Sequence, residues 1–265
     1  MSGRLRHYAC GSTAHDTRTL FRGGTRDVRE FPSGVFLYEP GDGRRFLFDT
    51  GYAPDPWPTG WRTSVYRRVL PPSLAPGDDI GAQLARDGVD PDSIGHVILS
   101  HLHPDHVGGL KSFPRARLVI TSGQLETDEK ARVRDAVLPG LLPAGFPGED
   151  PIVLTPADFA PVTVAGRRLR VAEPWAGAGI RLVDLPGHAR GHLGALVEDR
   201  VLLAGDAAWG TDLLDAAPRM RALPRRLQHH PAAYAATART LSALSAQGIR
   251  IVCSHDRVVD RELLP

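Results

Sequence analysis

Three histidines and one aspartate stand within six residues of one another, at His101, His103, Asp105 and His106. Alternate side chains of an extended segment point the same way, so His101 and His103 can bind one metal ion. The turn at Pro104 then brings Asp105 and His106 round to face a second site. Such a string arises by chance in roughly one sequence of this composition in several hundred. The segment predicts a metal site, and a solvated histidine-rich loop is the alternative.

Further histidines and aspartates follow other apolar runs directly. Asp49 does so upstream, and His188, Asp206 and His255 do so downstream. Ligands in α/β proteins gather where loops leave one end of a sheet, so these side chains can converge. The candidate ligands are then His101, His103, Asp105, His106, His188, Asp206 and His255. Seven ligands are too many for one tetrahedral ion, but they fit two ions that share a carboxylate bridge.

Short apolar runs between Gly, Pro and Asp residues predict the strands that position these ligands. The predicted strands are Gly34–Glu39, Arg45–Asp49, His96–Ser100, Arg117–Thr121, Ile180–Leu185, Gly194–Glu198, Val201–Ala204 and Ile249–Cys253. Several are apolar on consecutive residues, which indicates strands that are buried on both faces and covered by helices. The sequence therefore predicts an α/β fold.

Helices are predicted over Asp79–Asp87, Ser122–Val137 and Pro231–Gln247. The last has an apolar stripe at helical spacing and ends before Gly248. Two proline-rich segments, 52–77 and 139–151, have no predicted element. They are predicted to be lids or binding loops, with surface-wrapping loops as an equal alternative. No repeat or linker divides the sequence, so a single domain over residues 1–265 is predicted.

Composition excludes several classes of function. The 265 residues are 42% hydrophobic and 23% charged, which is typical of a globular protein rather than a disordered one. The net charge is +2 and no basic run exceeds two arginines, so no nucleic-acid partner is predicted. Two cysteines are too few for a disulfide framework. With no secretory signal and no membrane span in the sequence, we expect a cytoplasmic protein that acts on a small molecule.

These motifs resemble those of the metallo-β-lactamase-fold hydrolase superfamily, whose five motifs occur here in the family's order. The resemblance implies an αββα sandwich with a dinuclear site at one edge. It implies that His101, His103 and His188 hold the first metal. Asp105, His106 and His255 would hold the second, and Asp206 would bridge them. Asp49 would position the histidine-rich loop without binding metal.

The pattern is most similar to that of the N-acyl-homoserine lactonases, in the motifs at 101–106, 186–192, 205–208 and 254–256. Other branches fit less well. Asp206 argues against the β-lactamases proper, and His103 argues against the flavodiiron proteins. The chain after Asp206 is too short for the helical domain of glyoxalase II. Trp209 stands where those lactonases have a tyrosine, so ester and thioester substrates stay open beside lactones.

The resemblance and the ligand count together predict a dinuclear hydrolase that cleaves a carboxylic ester, lactone or thioester with metal-bound hydroxide. Zinc is expected, although iron, manganese or cobalt also suit such ligands. Asp105 is predicted to be catalytic as well as a ligand, because a carboxylate can orient the hydroxide and move its proton. The alternatives are an N-acyl-homoserine lactonase proper, a mononuclear-iron sulfur dioxygenase and a non-catalytic metal-binding protein.

The remaining predictions concern individual side chains. An apolar pocket wall, with buried core as an equal alternative, is predicted from Trp57, Trp61, Tyr66 and Trp209. His192 is predicted to pack beside the ligands, His229 and His230 to lie in solvent, and Cys253 to be a buried small apolar residue.

Overall fold

Two β-sheets and the helices that flank them make up the fold. The computed structural model describes residues 3–130, 132, 135–258 and 260–264. The strands are β1 (Arg4–Asp16), β2 (Val28–Glu39), β3 (Phe46–Phe48), β4 (His96–Ile98), β5 (Arg117–Thr121), β6 (Ile152–Leu154), β7 (Ala160–Val164), β8 (Arg167–Ala172), β9 (Ile180–Asp184), β10 (Leu193–Val197), β11 (Val201–Gly205), β12 (Arg250–Cys253) and β13 (Glu262–Leu264). The helices are α1 (Thr17–Leu20), α2 (Trp61–Val69), α3 (Ile80–Arg86), α4 (Pro104–Val107), α5 (Ser122–Glu129), α6 (Ala222–Leu227) and α7 (Pro231–Ser245).

The strands of the described residues form one seven-stranded and one six-stranded sheet. The larger has the order β13-β1-β2-β3-β4-β5-β6, and the smaller has the order β12-β11-β10-β9-β8-β7. Strands β3 to β6 run parallel to one another, as do β11 and β12. The remaining pairs within the sheets are antiparallel.

Successive side chains of a strand point to opposite faces of its sheet, and here both faces are buried, which explains why the strand sequences are apolar on consecutive residues. In β2, Phe36 lies in the cluster between the sheets, whereas Val35 and Leu37 lie in the cluster on the outer face of the larger sheet. In β11, Leu203 lies between the sheets, whereas Leu202 lies in the outer cluster of the smaller sheet. Because both faces of these strands are buried, both sets of side chains must be apolar.

Three hydrophobic clusters therefore hold four layers together. The cluster outside the larger sheet includes Ile80 and Leu84 of α3, and the cluster outside the smaller sheet includes Ala238 and Leu241 of α7. The third cluster joins the two sheets. This arrangement is an αββα sandwich, so the predicted fold class is confirmed.

All eight predicted strands occur, with ends shifted by up to six residues, but five further strands were missed. Strand β1 has buried polar side chains at Arg6 and His7, so few of its consecutive residues are apolar. The hairpin of β7 and β8 places arginines of β8 on its exposed face. Strands β6 and β13 have three residues each and lie at the two edges of the larger sheet. Pairing with neighbouring strands, rather than local pattern, determines these five.

The helix predictions need two corrections. The predicted helix Ser122–Val137 ends at Glu129, and its last turn has acidic residues and no basic one, which opposes the helix dipole. Of the rest of that prediction, residues 131, 133 and 134 lie outside the described residues. The segment 52–77, for which no element was predicted, contains α2. Prolines stand on both sides of α2 and none within it, so the helix forms between them.

None of the helices in the described part of the chain has the length and apolarity of a membrane-spanning segment.

Candidate metal centre

The seven candidate ligands converge on one edge of the sandwich. His101, His103, Asp105 and His106 follow β4, a strand of the larger sheet. His188, Asp206 and His255 follow β9, β11 and β12 of the smaller sheet. Their ligand atoms form two groups, His101, His103, His188 and Asp206, and Asp105, His106, Asp206 and His255. Within each group the atoms lie within 4.8 Å of one another, and Asp206 belongs to both.

The first group consists of three imidazoles and the shared carboxylate. His188 Nε2 lies 3.2 Å from His103 Nδ1 and 3.4 Å from Asp206 Oδ2. His101 is fully buried, and its ring centroid lies 4.3 Å from that of His103. Nitrogen atoms of three side chains thus face one point beside the shared carboxylate.

The second group contains two carboxylates and two imidazoles. His106 Nε2 lies 3.5 Å from both Asp105 Oδ2 and Asp206 Oδ1. His255 Nε2 lies 3.2 Å from Asp206 Oδ2 and 3.7 Å from Asp105 Oδ2. Both oxygens of Asp206 are therefore used, because Oδ1 faces the second group and Oδ2 faces both groups.

These separations test whether a metal ion fits. Two ligand atoms at 2.0–2.2 Å from one tetrahedral ion lie about 3.3–3.6 Å apart. The separations of 3.2–3.7 Å are close to that spacing. Among the described residues, no hydrogen-bond partner reaches the buried atoms His101 Nε2, His106 Nε2 and Asp206 Oδ1. Buried polar atoms normally have a partner, so their arrangement fits bound cations.

Burial keeps the imidazoles of the first group neutral. Burial, with a smaller contribution from the neighbouring His188, lowers the pKa of His103 to about 3. Burial also lowers the pKa of His101 and His188 below the usual histidine value. Neutral imidazole is the form that binds metal, so this group needs no deprotonation at neutral pH.

Carboxylates control the charges of the second group. Burial lowers the pKa of His106 and His255, but the facing carboxylates have a larger opposite effect. The pKa of His255 is therefore raised to about 9, and that of His106 is raised well above its usual range. Burial raises the pKa of Asp105 and Asp206, but the neighbouring imidazoles have a larger opposite effect. The pKa of Asp105 is therefore lowered to about 2, and that of Asp206 lies well below its usual range. Both carboxylates are therefore ionised at neutral pH.

Asp49 lies outside both ligand groups and contacts His106. Its Oδ2 lies 2.8 Å from His106 Nδ1 and accepts a 2.7 Å hydrogen bond from Ser100 Oγ, while its Oδ1 accepts one of 2.7 Å from the Ser100 amide. Burial raises the pKa of its carboxyl, and His106 opposes that shift. Asp49 has a positive φ of 60°, which a non-glycine residue adopts only when its surroundings hold it.

Two further ligands are oriented through their Nδ1 atoms. His188 Nδ1 lies 2.9 Å from Gln228 Oε1, and His255 Nδ1 lies 2.7 Å from the carbonyl oxygen of Pro32. Each oxygen accepts an N–H from Nδ1, so in the neutral ring, the form that binds metal, Nε2 presents its lone pair to the site.

Gly205 allows the close approach that presents Asp206. Its φ is +52°, and a Cβ there would lie 2.8 Å from His192 Nε2 and 3.0 Å from Ser100 Cβ. His192 Nε2 accepts the Asp206 amide N–H at 3.1 Å, so His192 packs beside the ligands without joining either group.

Sequence reasoning missed three supporting residues. Gln124 Nε2 donates to the carbonyls of Leu99 and Ser100 at 2.9 and 2.8 Å, which fixes the backbone before His101. A Thr-x-x-Gln capping box at Thr121 was the available signal. Ser33 Oγ donates to the backbone carbonyl of Asp105, and Gln228 holds His188. No local motif marks either residue.

One cavity of about 200 Å³ opens over the first group. His103, His188 and Gln228 form its floor, together with Ala189. The other lining residues are Glu126, Thr127, Lys130, Arg132, Asp135, Arg190, Leu227 and His229. Access to the candidate metal centre is therefore through a wall of mainly charged and polar side chains.

The four predicted wall aromatics do not line this cavity. Trp57 and Tyr66 stack at 5.8 Å in the core outside the larger sheet. Trp61 is 61% exposed on α2. Trp209 is half-buried, and its ring lies edge-on to Phe21 at 6.0 Å. The core alternative thus describes Trp57 and Tyr66.

The other side-chain predictions have these outcomes. His229 and His230 are exposed, and His230 also caps α7 by accepting the Ala233 amide N–H at 3.1 Å. Cys253 is buried, as predicted.

The sequence profile of the metallo-beta-lactamase superfamily matches residues 28–254. A probable metallo-hydrolase of Mycobacterium tuberculosis is 28% identical over 244 residues, which cover 84% of this chain and 74% of the relative. An N-acyl homoserine lactonase from a Bacillus species is 27% identical over 153 residues, which cover 56% of this chain and 51% of the lactonase. The match thus spans about half the lactonase's length.

A solved structure of an N-acyl homoserine lactone hydrolase, with the product N-hexanoyl-L-homoserine bound at its catalytic metal centre, has the same fold. The TM-score is 0.68 at 21% identity, over 97% of this chain and 95% of that chain.

Proposed function

Because the chain belongs to the metallo-beta-lactamase superfamily, we propose that it is a dinuclear metal-dependent hydrolase of a carboxylic ester, lactone or thioester. The observation that carries the proposal is Asp206, one buried carboxylate that two groups of ligand atoms share. The metallo-hydrolase and lactonase relatives support hydrolysis as the reaction class.

In this proposal each ligand group holds one ion. His101, His103 and His188 would hold the first, Asp105, His106 and His255 would hold the second, and Asp206 would be a ligand shared by both. Two divalent ions held by these residues would supply a water of lowered pKa as the nucleophile and would polarise the scissile carbonyl. Zinc is our first choice, because tetrahedral groups of imidazole and carboxylate ligands suit it, and iron, manganese and cobalt are the alternatives.

Asp105 has a second role in this proposal. Its carboxylate is ionised, so it can accept a hydrogen bond from the attacking water and then its proton. It can pass that proton to the leaving oxygen or sulfur. Ser33 supports this role because its hydroxyl fixes the Asp105 backbone.

Two observations favour this function over its alternatives. A mononuclear-iron dioxygenase needs one ligand group, whereas a second group of four buried side chains stands beside the first. A non-catalytic metal-binding protein needs no access to the metal, whereas the cavity reaches His103 and His188.

Elemental analysis and a substrate screen on one preparation test the proposal. We expect two transition-metal ions per chain, and hydrolysis of a lactone, a thioester or an aryl ester. A single bound ion after metal supplementation would overturn the dinuclear assignment. Protein with two ions that cleaves none of the three classes would overturn the hydrolase assignment.

A further inference from the structure

The cavity over the first ligand group has a charged lining that the proposed reaction does not require. Three cationic side chains, Lys130, Arg132 and Arg190, line it together with two acidic ones, Glu126 and Asp135. Hydrolysis at the metals needs none of these five. Their placement beside His103 and His188 therefore bears on which substrates bind.

The acidic side chains of this lining have partners within it. Arg190 Nη1 donates to Glu126 Oε2 at 2.7 Å, and the Arg132 amide donates to Asp135 Oδ2 at 2.8 Å. Lys130 forms no ion pair with any residue that the structure describes, and its side chain is exposed. A backbone amide does not neutralise Asp135, but three cationic side chains stand against two carboxylates in the described lining, so the net charge at the cavity is positive.

Apolar surface in the cavity is small. Leu227 and Ala189 are its apolar side chains among the described lining residues, and the volume is below the roughly 300–1,000 Å³ of pockets for drug-sized ligands. A long acyl chain gains affinity by burying apolar area, which this lining does not offer. A short substrate with a charged end fits both the size and the charge.

We infer that the substrate of this site is a short ester, lactone or thioester that bears a negatively charged group, which Lys130 and the neighbouring arginines attract. The inference rests on the proposed function and narrows its substrate class. The charge can lie on the acyl part or on the alcohol or thiol part. Lys130 acts here as a specificity-determining residue and takes no part in bond cleavage.

Three aryl esters test whether the charge lies on the acyl part, on the leaving group or on neither. The neutral reference is 4-nitrophenyl hexanoate. The adipate half-ester of 4-nitrophenol places a carboxylate at the end of the same acyl chain, and 3-carboxy-4-nitrophenyl hexanoate places it on the leaving group. After correction for uncatalysed hydrolysis, we expect kcat/KM for at least one anionic ester to exceed that of the neutral ester by about 5-fold. An effect of this size is typical of one exposed charge pair. Raising the ionic strength should reduce this preference.

Two variants should shift the preference in opposite directions. Lys130→Gln removes the uncompensated cation, so the preference for the anionic ester should fall about 3-fold. Glu126→Gln removes the partner of Arg190, so the preference should rise. Lys111→Gln is the matched control, because Lys111 lies outside the cavity lining and donates to the Gly140 carbonyl at 2.8 Å. It should leave the preference unchanged.

Calorimetry with adipate and hexanoate gives a reading that does not depend on turnover. We expect adipate to bind more tightly than hexanoate, and Lys130→Gln to remove the difference. Equal affinities, or a difference that Lys130→Gln leaves unchanged, would overturn the inference. If all three esters are cleaved with equal kcat/KM, the inference fails and the hydrolase assignment stands. If none is cleaved by protein with two ions while adipate still binds more tightly, the hydrolase assignment fails and the charged site stands.

Discussion

The two ligand groups around Asp206 differ in how their charges are balanced. The first group has three imidazoles that burial keeps neutral, so the shared Asp206 is its one carboxylate. The second group adds Asp105, and a third carboxylate, Asp49, lies behind His106. A cation in the first group would therefore keep more of its positive charge than a cation in the second.

The two groups also differ in access. The cavity reaches His103 and His188 of the first group, whereas Asp105, His106 and His255 of the second do not line it. A cation in the first group would thus be the more electrophilic one and would lie beside this cavity, which suits contact with a substrate oxygen. The second group contains Asp105, the carboxylate that we propose accepts and donates a proton. Substitutions in each group can test this division.

Loss of Asp206 should have the largest effect, because this side chain is a ligand in both groups. In Asp206→Ala both proposed ions would lose a ligand, so we expect metal content to fall well below two ions per chain and kcat/KM to fall at least about 10³-fold. Elemental analysis and a rate measurement on the same sample check this. Asp150→Ala, which alters an exposed carboxylate, is the control. Retention of both ions would mean that Asp206 is not the bridge.

Asp105→Asn should affect the second group alone. The amide cannot accept a proton, so kcat should fall about 100-fold while the first group keeps its ion. Turnover is to be compared at equal metal content, which separates proton transfer from metal loss. Near-normal kcat in metal-loaded variant protein would leave Asp105 with no role in proton transfer.

The residues that orient the ligands should have smaller, group-specific effects. Asp49→Asn removes the charge behind His106, and we expect affinity for the second ion to fall about 10- to 100-fold. Gln228→Leu removes a neutral acceptor from His188, and affinity for the first ion should fall toward the lower end of that range. Chelator competition measures both affinities. Equal loss of both ions in either variant would contradict separate control of the two groups.

The smallest effect is expected at Trp209. Its ring packs edge-on to Phe21 and lies outside the cavity lining, so Trp209→Tyr should raise the rate on a lactone relative to an aryl ester by about 3-fold at most. The ratio of kcat/KM for the two substrates measures this. A tenfold or larger gain would mean that residue 209 contacts the substrate.

The family resemblance and the fold class were predictable because their signals are local. His101 to His106 lie on one short segment, and double-sided burial gives consecutive apolar residues such as those of β4. The outer-face helix α7 was predictable from its spacing, and its buried stripe includes Tyr234, Ala238 and Leu241. Signals of this kind can be recognised in the sequence without knowledge of the fold.

Features that depend on distant contacts were not predictable. Ser33 acts on Asp105 across 72 positions, and Gln228 acts on His188 across 40. Strand β1 has few consecutive apolar residues and depends on its pairing with β2. The charged cavity has the same origin, since α5 and the His188 loop meet only in the folded chain. For these residues tertiary context, not local pattern, sets the structure.

The candidate metal centre joins the two sheets. Asp206 of the smaller sheet faces His106 of the larger one, and His255 Nδ1 reaches the carbonyl oxygen of Pro32 in β2. Ions bound there would tie the layers together and favour the folded state by mass action. At a free metal concentration 100-fold above the dissociation constant, one site adds about 2.7 kcal/mol to the free energy of unfolding. For a domain of this size that corresponds to roughly 5–11 °C in Tm. Thermal unfolding would therefore report occupancy of the centre in variants that no longer turn over substrate.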